Sequence, residues 1–284
     1  MLAAAEECCR ARALDLSRPV VMGILNITPD SFYDGGVFFR PERAIEHAHR
    51  MVGEGAQVID IGGESTRPGA APVEPREELR RVIPVITALV DSGLPVPISV
   101  DTSRPEVMKA AVAAGAGMIN DVRALRMPGA LEAAAAAGVP VCLMHMQGDP
   151  RSMQCQPSYV DVVSEVAEFL QSRVDAAVAA GIPRSRLLVD PGFGFGKLVH
   201  HNVALIRGLS ALRSLGLPIM VGFSRKSMIG VLTGAPAADR LPGSLALAVL
   251  ALKEGATILR VHDVGPTCHA VLMYEAVYGA GSRL

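Results

Sequence analysis

Short apolar runs, each halted by a polar or charged residue, recur along this chain, and helical stretches that stop at glycine lie between them. Eight runs read as strands: Val20–Ile27, Val58–Ile61, Val96–Val100, Met118–Asn120, Val139–Met144, Leu187–Asp190, Pro218–Gly222 and Thr257–His262. Runs of this length, bounded by turn residues, fit strands buried on both faces. Helical patterns fall between them, at roughly 42–53, 76–92, 105–114, 130–137, 160–180, 202–215, 243–254 and 267–278. Gly55, Gly93, Gly115, Gly138, Gly181, Gly216 and Gly255 each follow a helical stretch, where the left-handed conformation that ends a helix suits glycine. Pro41, Pro105 and Pro242 sit at helix starts, where the missing N–H costs nothing. Strands alternating with helices pair in parallel through right-handed crossovers. The pattern therefore predicts an α/β fold, a single-domain (β/α)8 TIM barrel, with an open doubly wound sheet as the alternative. Eight regular units match the barrel's count. No linker divides the chain, so residues 1–18 are expected to be an N-terminal extension and 19–284 the barrel domain.

Half of the 284 residues are hydrophobic, enough for a large core. Lys+Arg number 27 against 28 Asp+Glu, so no net field draws nucleic acid or an anionic membrane. Trp is absent and aromatics are 4%, which argues against base-stacking platforms. The five cysteines (Cys8, Cys9, Cys142, Cys155 and Cys268) have neither CxxC spacing nor the density of a disulfide scaffold, as expected of reduced thiols in the cytoplasm. The start, MLAAAEECCRARAL, does not read as a signal peptide, having two early acids and no sustained apolar core. No apolar run approaches the length of a membrane span. The string Asn26-Ile27-Thr28 fits a glycosylation pattern that a cytosolic protein would not use.

In a barrel the carboxyl ends of all strands meet on one face, where active sites lie. At or just after the strand ends stand Asn26; Asp60 with the loop Gly62–Gly69; Asp101; Asn120 and Asp121; His145; Asp190; Ser224, Arg225 and Lys226; and Arg260, His262 and Asp263. One such Asp is readily a helix N-cap; for the whole set, a function is the better explanation. Two groups emerge. Asp101, Asn120, Asp190 and Lys226 suit a flat heterocycle with many donors and acceptors. A carboxylate takes two parallel N–H bonds from an amino-pyrimidinone edge, an Asn amide both gives and accepts, and each charge-assisted bond is worth about 1.5–3 kcal/mol. Asn26, Arg67, Arg260 and His262 suit a diphosphate, with a divalent ion neutralising the rest.

Several motifs are ruled out or demoted. Gly192-Phe193-Gly194-Phe195-Gly196-Lys197 lacks the Gly (Pro191 stands there) and the Ser/Thr (Leu198) of a Walker loop, and has Lys197 where a Rossmann fingerprint needs Gly. It reads instead as backbone bent close to a ligand, with Phe193 or Phe195 as an apolar wall. His47 and His49 are expected on a solvated helix face, His145 as a packed or hydrogen-bonded histidine rather than a zinc ligand, and Cys142 as core.

The sequence resembles the dihydropteroate synthases. The resemblance rests on GILNITPDSFYDGG (Gly23–Gly36) and IDIGGESTRPGA (Ile59–Ala70), and continues through SVDTSRPEV, INDV, LMHMQGDPRSMQ, DPGFGFGK, GFSRKSMIG and RVHDV, in order, from Val20 to the last helix. It implies a TIM-barrel homodimer, joined through late barrel helices, that condenses 6-hydroxymethyl-7,8-dihydropterin diphosphate with 4-aminobenzoate. It further implies a pterin pocket of Asp101, Asn120, Asp190 and Lys226, with Met144 packing nearby and Arg260 at its edge. Diphosphate and Mg²⁺ contacts are implied at Asn26, Arg67, Arg260 and His262, with Asn26 the metal ligand. Aminobenzoate is placed near Thr66, Arg67, Pro68, Phe195, Lys226 and Ser224, under loops carrying Asp30, Phe32 and Asp34 and Thr66–Pro68. Asn26, Arg67, Lys226, Arg260 and His262 are then the expected catalytic set. Departures at Ile27, Tyr33 and Leu198–His201 remove none of these side chains. A pterin-dependent methyltransferase of the same fold and a non-catalytic pterin-binding paralogue are the alternatives. The methyltransferase has no natural use for Thr66-Arg67-Pro68 or the Arg260/His262 pair, and the paralogue leaves buried charges without a ligand.

Overall fold

Strand β1 (Val20–Asn26) pairs in parallel with β4 (Val58–Gly62) on one side and β10 (Ile258–Val261) on the other, so first and last strands are neighbours. The structure, a computed structural model, describes residues 15–27, 33–34, 38–39, 41–65, 69, 72–149 and 152–279. From β4 the sheet continues through β5 (Ile98–Asp101), β6 (Met118–Asp121), β7 (Val141–Met144) and β8 (Leu187–Asp190), and from β10 it continues to β9 (Met220–Val221). A parallel bridge between Val189 and Ile219 joins β8 to the start of β9, and Val189 N–H donates to the Pro218 carbonyl at 3.0 Å. Eight parallel strands thereby close into the expected barrel. Two short strands, β2 (Tyr33–Asp34) and β3 (Phe38–Phe39), pair antiparallel after β1. Strands this short carry no periodic signal, and the sequence pattern does not predict them.

Successive residues of a strand face opposite sides of the sheet, and here both sides are apolar. Met22, Val58, Met118, Cys142, Leu188, Met220 and Ile258 meet inside the barrel as one buried cluster. Their neighbours, among them Val21, Ile59, Val141, Leu187, Val221 and Leu259, belong to the larger cluster shared with the helices. Cys142 is core, as expected.

The helices are α1 (Pro41–Gly53), α2 (Pro75–Asp91), α3 (Pro105–Ala113), α4 (Ala130–Ala137), α5 (Val162–Ala179), α6 (Val199–Arg207), α7 (Ser227–Thr233), α8 (Leu241–Lys253) and α9 (Val264–Tyr278). Asp161 caps α5 by accepting from Val163 N–H at 3.0 Å. Gly138 ends α4 with φ 69°. The helix expected over 202–215 is instead two pieces: α6 stops at Arg207 and a 3₁₀ segment runs over Leu209–Leu215. Gly208 divides them, and a Cβ there would stand 2.7 Å from Val163 Cγ2, so the break lets α5 approach closely. Helix α7 was not expected; it holds only seven residues, too few for a periodic pattern.

Candidate active site

The inward alternation turns polar at the carboxyl end of the barrel. Two residues after Val58, Met118, Leu188 and Ile258 of the interior cluster come Asp60, Asn120, Asp190 and Arg260, so the pleat itself brings them to one rim. Arg260 Nε donates to Asp60 Oδ2 at 2.6 Å and its Nη2 to Asp101 Oδ2 at 2.6 Å. Asn120 Nδ2 donates to Asp60 Oδ2 at 3.0 Å. Asp60 is fully buried and Asn120 nearly so, yet Asp60 Oδ1 and Asn120 Oδ1 have no hydrogen-bond partner among the described residues. Burial pushes the Asp101 carboxyl up to about 7 against the pull of Arg260, with Asp60 adding to the rise. Burial works against charge on Arg260, but Asp60 and Asp101 outweigh it and hold the guanidinium protonated. Arg260, grouped by its chemistry with the diphosphate residues, is thus tied to the carboxylates. Asp60, given no role from sequence, is the hub of the network; its place two residues beyond Val58 on the inner face is the signal that finds it.

Beside this network the Gly192–Gly196 loop carries the opposite wall. Asp190 Oδ1 accepts from Gly192 N–H at 2.7 Å. Burial raises the Asp190 pKa, opposed by Lys226; burial likewise pulls Lys226 down to about 8, opposed by Asp190. Lys226 Nζ donates to the Phe193 carbonyl and lies 4.6 Å from the Phe195 ring centroid. Phe195 packs on the cluster of Val122, Met144, Met146 and Met153. Phe193 is fully buried against Phe223, so Phe195 alone forms the wall. The loop's glycines serve a different need from the one read in the sequence. A Cβ on Gly192 (φ 66°) would meet the His145 carbonyl oxygen at 1.9 Å, and one on Gly196 (φ 61°) would meet that of Gln147 at 2.4 Å. The close approach is to the chain's own backbone.

Lys197 fastens this loop from beneath. Its Nζ lies 2.8 Å from His145 Nδ1, 2.9 Å from the Gly192 oxygen and 3.1 Å from the Phe195 oxygen. Burial drives Lys197 well below the ordinary lysine value, and lowers His145 to about 2, so the imidazole is neutral. A neutral amine has two N–H donors and one lone pair. Those suit two carbonyls and one donor, with the His145 proton on Nδ1, whereas a charged ammonium would give all three donors and leave Nδ1 the acceptor. His145 is therefore the hydrogen-bonded histidine expected from the sequence.

The outer end of the site lies between β1 and β10. His262 Nδ1 lies 3.0 Å from Ser224 Oγ, which also accepts from His262 N–H at 3.2 Å. Ser224 is thus a support for His262. A cavity of about 560 Å³ opens here, lined by Ile24, Asn26, Arg43, Glu46, His47, Arg50 and His262. His47 is half-buried in it, unlike the solvated position expected; His49 is exposed, near Ser92. Of the expected site residues, Asp34 lies in β2; Asp30, Phe32, Thr66, Arg67 and Pro68 lie outside the described residues. Arg104 lies between Glu64, 3.7 Å from its Nη2, and the buried Glu78 of α2, whose Oε2 is 3.0 Å from its Nε. Among the described residues no three His, Cys, Asp or Glu side chains form a group that could hold a metal ion.

Residues 22–262 match the model of a family described as pterin binding enzyme. The chain belongs to that family. It is 53% identical over 268 residues to the dihydropteroate synthase of Escherichia coli (strain K12), covering 94% of this chain and 95% of that protein. Among solved structures, the Yersinia pestis dihydropteroate synthase with a sulfonamide drug complex is 54% identical with a TM-score of 0.90, covering 94% of this chain and 97% of that one. The Xanthomonas albilineans dihydropteroate synthase in complex with 7,8-dihydropteroate is 52% identical with a TM-score of 0.86, covering 95% and 97%. Within the pterin-binding enzymes the chain is therefore a member of the dihydropteroate synthases.

Proposed function

We propose that the chain joins 6-hydroxymethyl-7,8-dihydropterin diphosphate to 4-aminobenzoate, giving 7,8-dihydropteroate and pyrophosphate. The observation that carries this reading at the level of the site is the pair of orphaned buried acceptors, Asp60 Oδ1 and Asn120 Oδ1, beside Asp101 and Asp190. An unpaired buried acceptor costs about 1–3 kcal/mol; an amino-pyrimidinone edge supplies the donors that relieve it. Gly192 N–H fixes one oxygen of Asp190, so the carboxylate plane is set before the ring arrives.

In the reaction the bond between the pterin methylene carbon and the diphosphate oxygen breaks, and its electron pair leaves with the diphosphate. Positive charge spreads into the ring. Asp60, Asp101 and Asp190 line this end of the barrel with Arg260 and Lys226, and each carboxylate that is ionised favours a developing cation. The arylamine nitrogen then bonds to the methylene carbon and gives its proton to solvent. An arylamine is only weakly basic, so it needs placement more than a strong base. Phe195 and Lys226 supply one side of that placement, and His262, held by Ser224, with Asn26 receives the departing anion. A Mg²⁺ ion is part of the proposal. Mg²⁺ is commonly held by one or two protein ligands plus substrate phosphates, which fits Asn26 as a lone oxygen donor facing the cavity; when bound it would neutralise diphosphate charge. Thr66, Arg67 and Pro68, with Asp30, Phe32 and Asp34, are proposed to complete the aminobenzoate site.

A homodimer is proposed through the late helices, where Val231 and Leu232 of α7, Leu250 of α8 and Leu272, Met273 and Val277 of α9 are exposed. Patches of this kind commonly mark contact surfaces. No helix among the described residues is long and apolar enough to cross a membrane, and Cys142, Cys155 and Cys268 are free thiols; we place the protein in the cytoplasm. The test is a coupled pyrophosphate assay with pterin diphosphate, 4-aminobenzoate and Mg²⁺. Release that requires both organic substrates is expected. Its absence, or methyl transfer from a folate in its place, overturns the reading.

A further inference from the structure

We propose that the cavity outside the β1 and β10 ends is a second anion subsite, which takes up pyrophosphate after it leaves the pterin. The proposal rests on the synthase reading. The inner wall of the cavity is Asn26 and His262, and the outer wall is one face of α1. Arg43, His47 and Arg50 stand at i, i+4 and i+7, a spacing that stacks side chains on one helix face. Its volume, about 560 Å³, exceeds what a diphosphate fills and leaves room for its hydration.

The side chains suit a polyanion leaving through them. Arg50 Nη2 lies 2.7 Å from His47 Nδ1. A guanidinium only donates, so Nδ1 accepts and the imidazole proton sits on Nε2 as a further donor. Burial and Arg50 both lower the His47 pKa, so the cavity's positive charge comes from the two arginines. Glu46 on the same face offsets part of their charge. Opposed charges along one open face suit transit, drawing the anion outward without holding it. A merely solvating helix face offers no reason for two arginines and a half-buried histidine to border a cavity that also reaches Asn26 and His262.

The experiment measures binding of inorganic pyrophosphate with Mg²⁺ by calorimetry, and pyrophosphate product inhibition, after pyrophosphate release by the native protein has been established. In Arg43→Ala/Arg50→Ala, pyrophosphate affinity is expected to fall about tenfold at low salt, as for two exposed ion pairs, with a smaller difference at high salt. Affinity for the pterin alcohol, which has no phosphate, should stay within twofold. Glu46→Gln should tighten pyrophosphate binding. A control, Lys109→Ala/Arg207→Ala, removes the same charge elsewhere and should leave binding unchanged. An unchanged affinity in the α1 double variant, or an equal loss in the control, overturns the subsite. Failure of the native protein to release pyrophosphate at all would instead overturn the synthase reading.

Discussion

Replacing Lys197 by Met tests whether a neutral lysine braces the Gly192–Gly196 loop, proposed to flank the aminobenzoate. Methionine keeps the length and apolar stem but cannot bond His145 Nδ1, Gly192 O and Phe195 O. Gly192 O retains a partner, Phe195 N–H at 3.1 Å. His145 Nδ1 and Phe195 O are left buried and unpaired, at about 1–3 kcal/mol each. Against that loss stands the cost of stripping a proton from lysine at neutral pH, which methionine avoids. The pH dependence separates the two effects. With the folded-state pKa well below its unfolded value, the unfolded chain holds more protons between them. Native stability therefore rises with pH across that window, by up to about 1.4 kcal/mol per unit, and levels off near the unfolded lysine value. The variant lacks this slope. Urea unfolding at pH 7, 8, 9 and 10 should show the gap between native and variant widening to about 2–4 kcal/mol at the alkaline end. Turnover should show a raised KM for aminobenzoate, because the loosened loop carries Phe195 and the carbonyl that holds Lys226. A gap that is flat with pH would show that Lys197 stays charged, and a loss below about 1 kcal/mol throughout would remove it as a brace.

Asp190→Asn keeps the shape but turns one paired acceptor into a donor; pterin affinity measured calorimetrically should fall at least about tenfold, the scale of one charge-assisted bond, and an unchanged affinity would exclude Asp190 from the pocket. Since Asp101 titrates near 7 and Lys226 near 8, kcat/KM for the pterin should be bell-shaped, falling on the acid side as Asp101 gains a proton and on the alkaline side as Lys226 loses one; a flat profile from pH 6 to 9 would refute charged roles for both. Arg104→Leu leaves Glu78 buried without its ion pair; the expected loss is about 3–5 kcal/mol in urea unfolding, and Arg104→Leu/Glu78→Leu should recover most of it.

Much of the barrel is legible because its punctuation is local. A glycine after α4 or a proline at the start of α3 acts on its own few residues, whatever the rest of the chain does. Closure between β8 and β9 is also foreshadowed by the count of eight. What sequence order hides is partnership across the barrel. Arg260 reads as a phosphate ligand by residue type, yet it is 200 positions from Asp60 and 159 from Asp101, and only the assembled pleat puts the three in contact. Once Asp60 lies fully buried, a guanidinium must face it, because a lone buried carboxylate would be too costly. The same constraint suits Arg260 to a double part in the proposed reaction: it neutralises Asp60 and Asp101, proposed to hold the ring, and precedes by two residues His262, proposed to receive the anion. A residue grouped by its chemistry with the diphosphate end thus couples both ends of one substrate, and replacing it with Met should lower pterin affinity and turnover together. A loss confined to turnover, with calorimetric pterin affinity intact, would return Arg260 to the phosphate side.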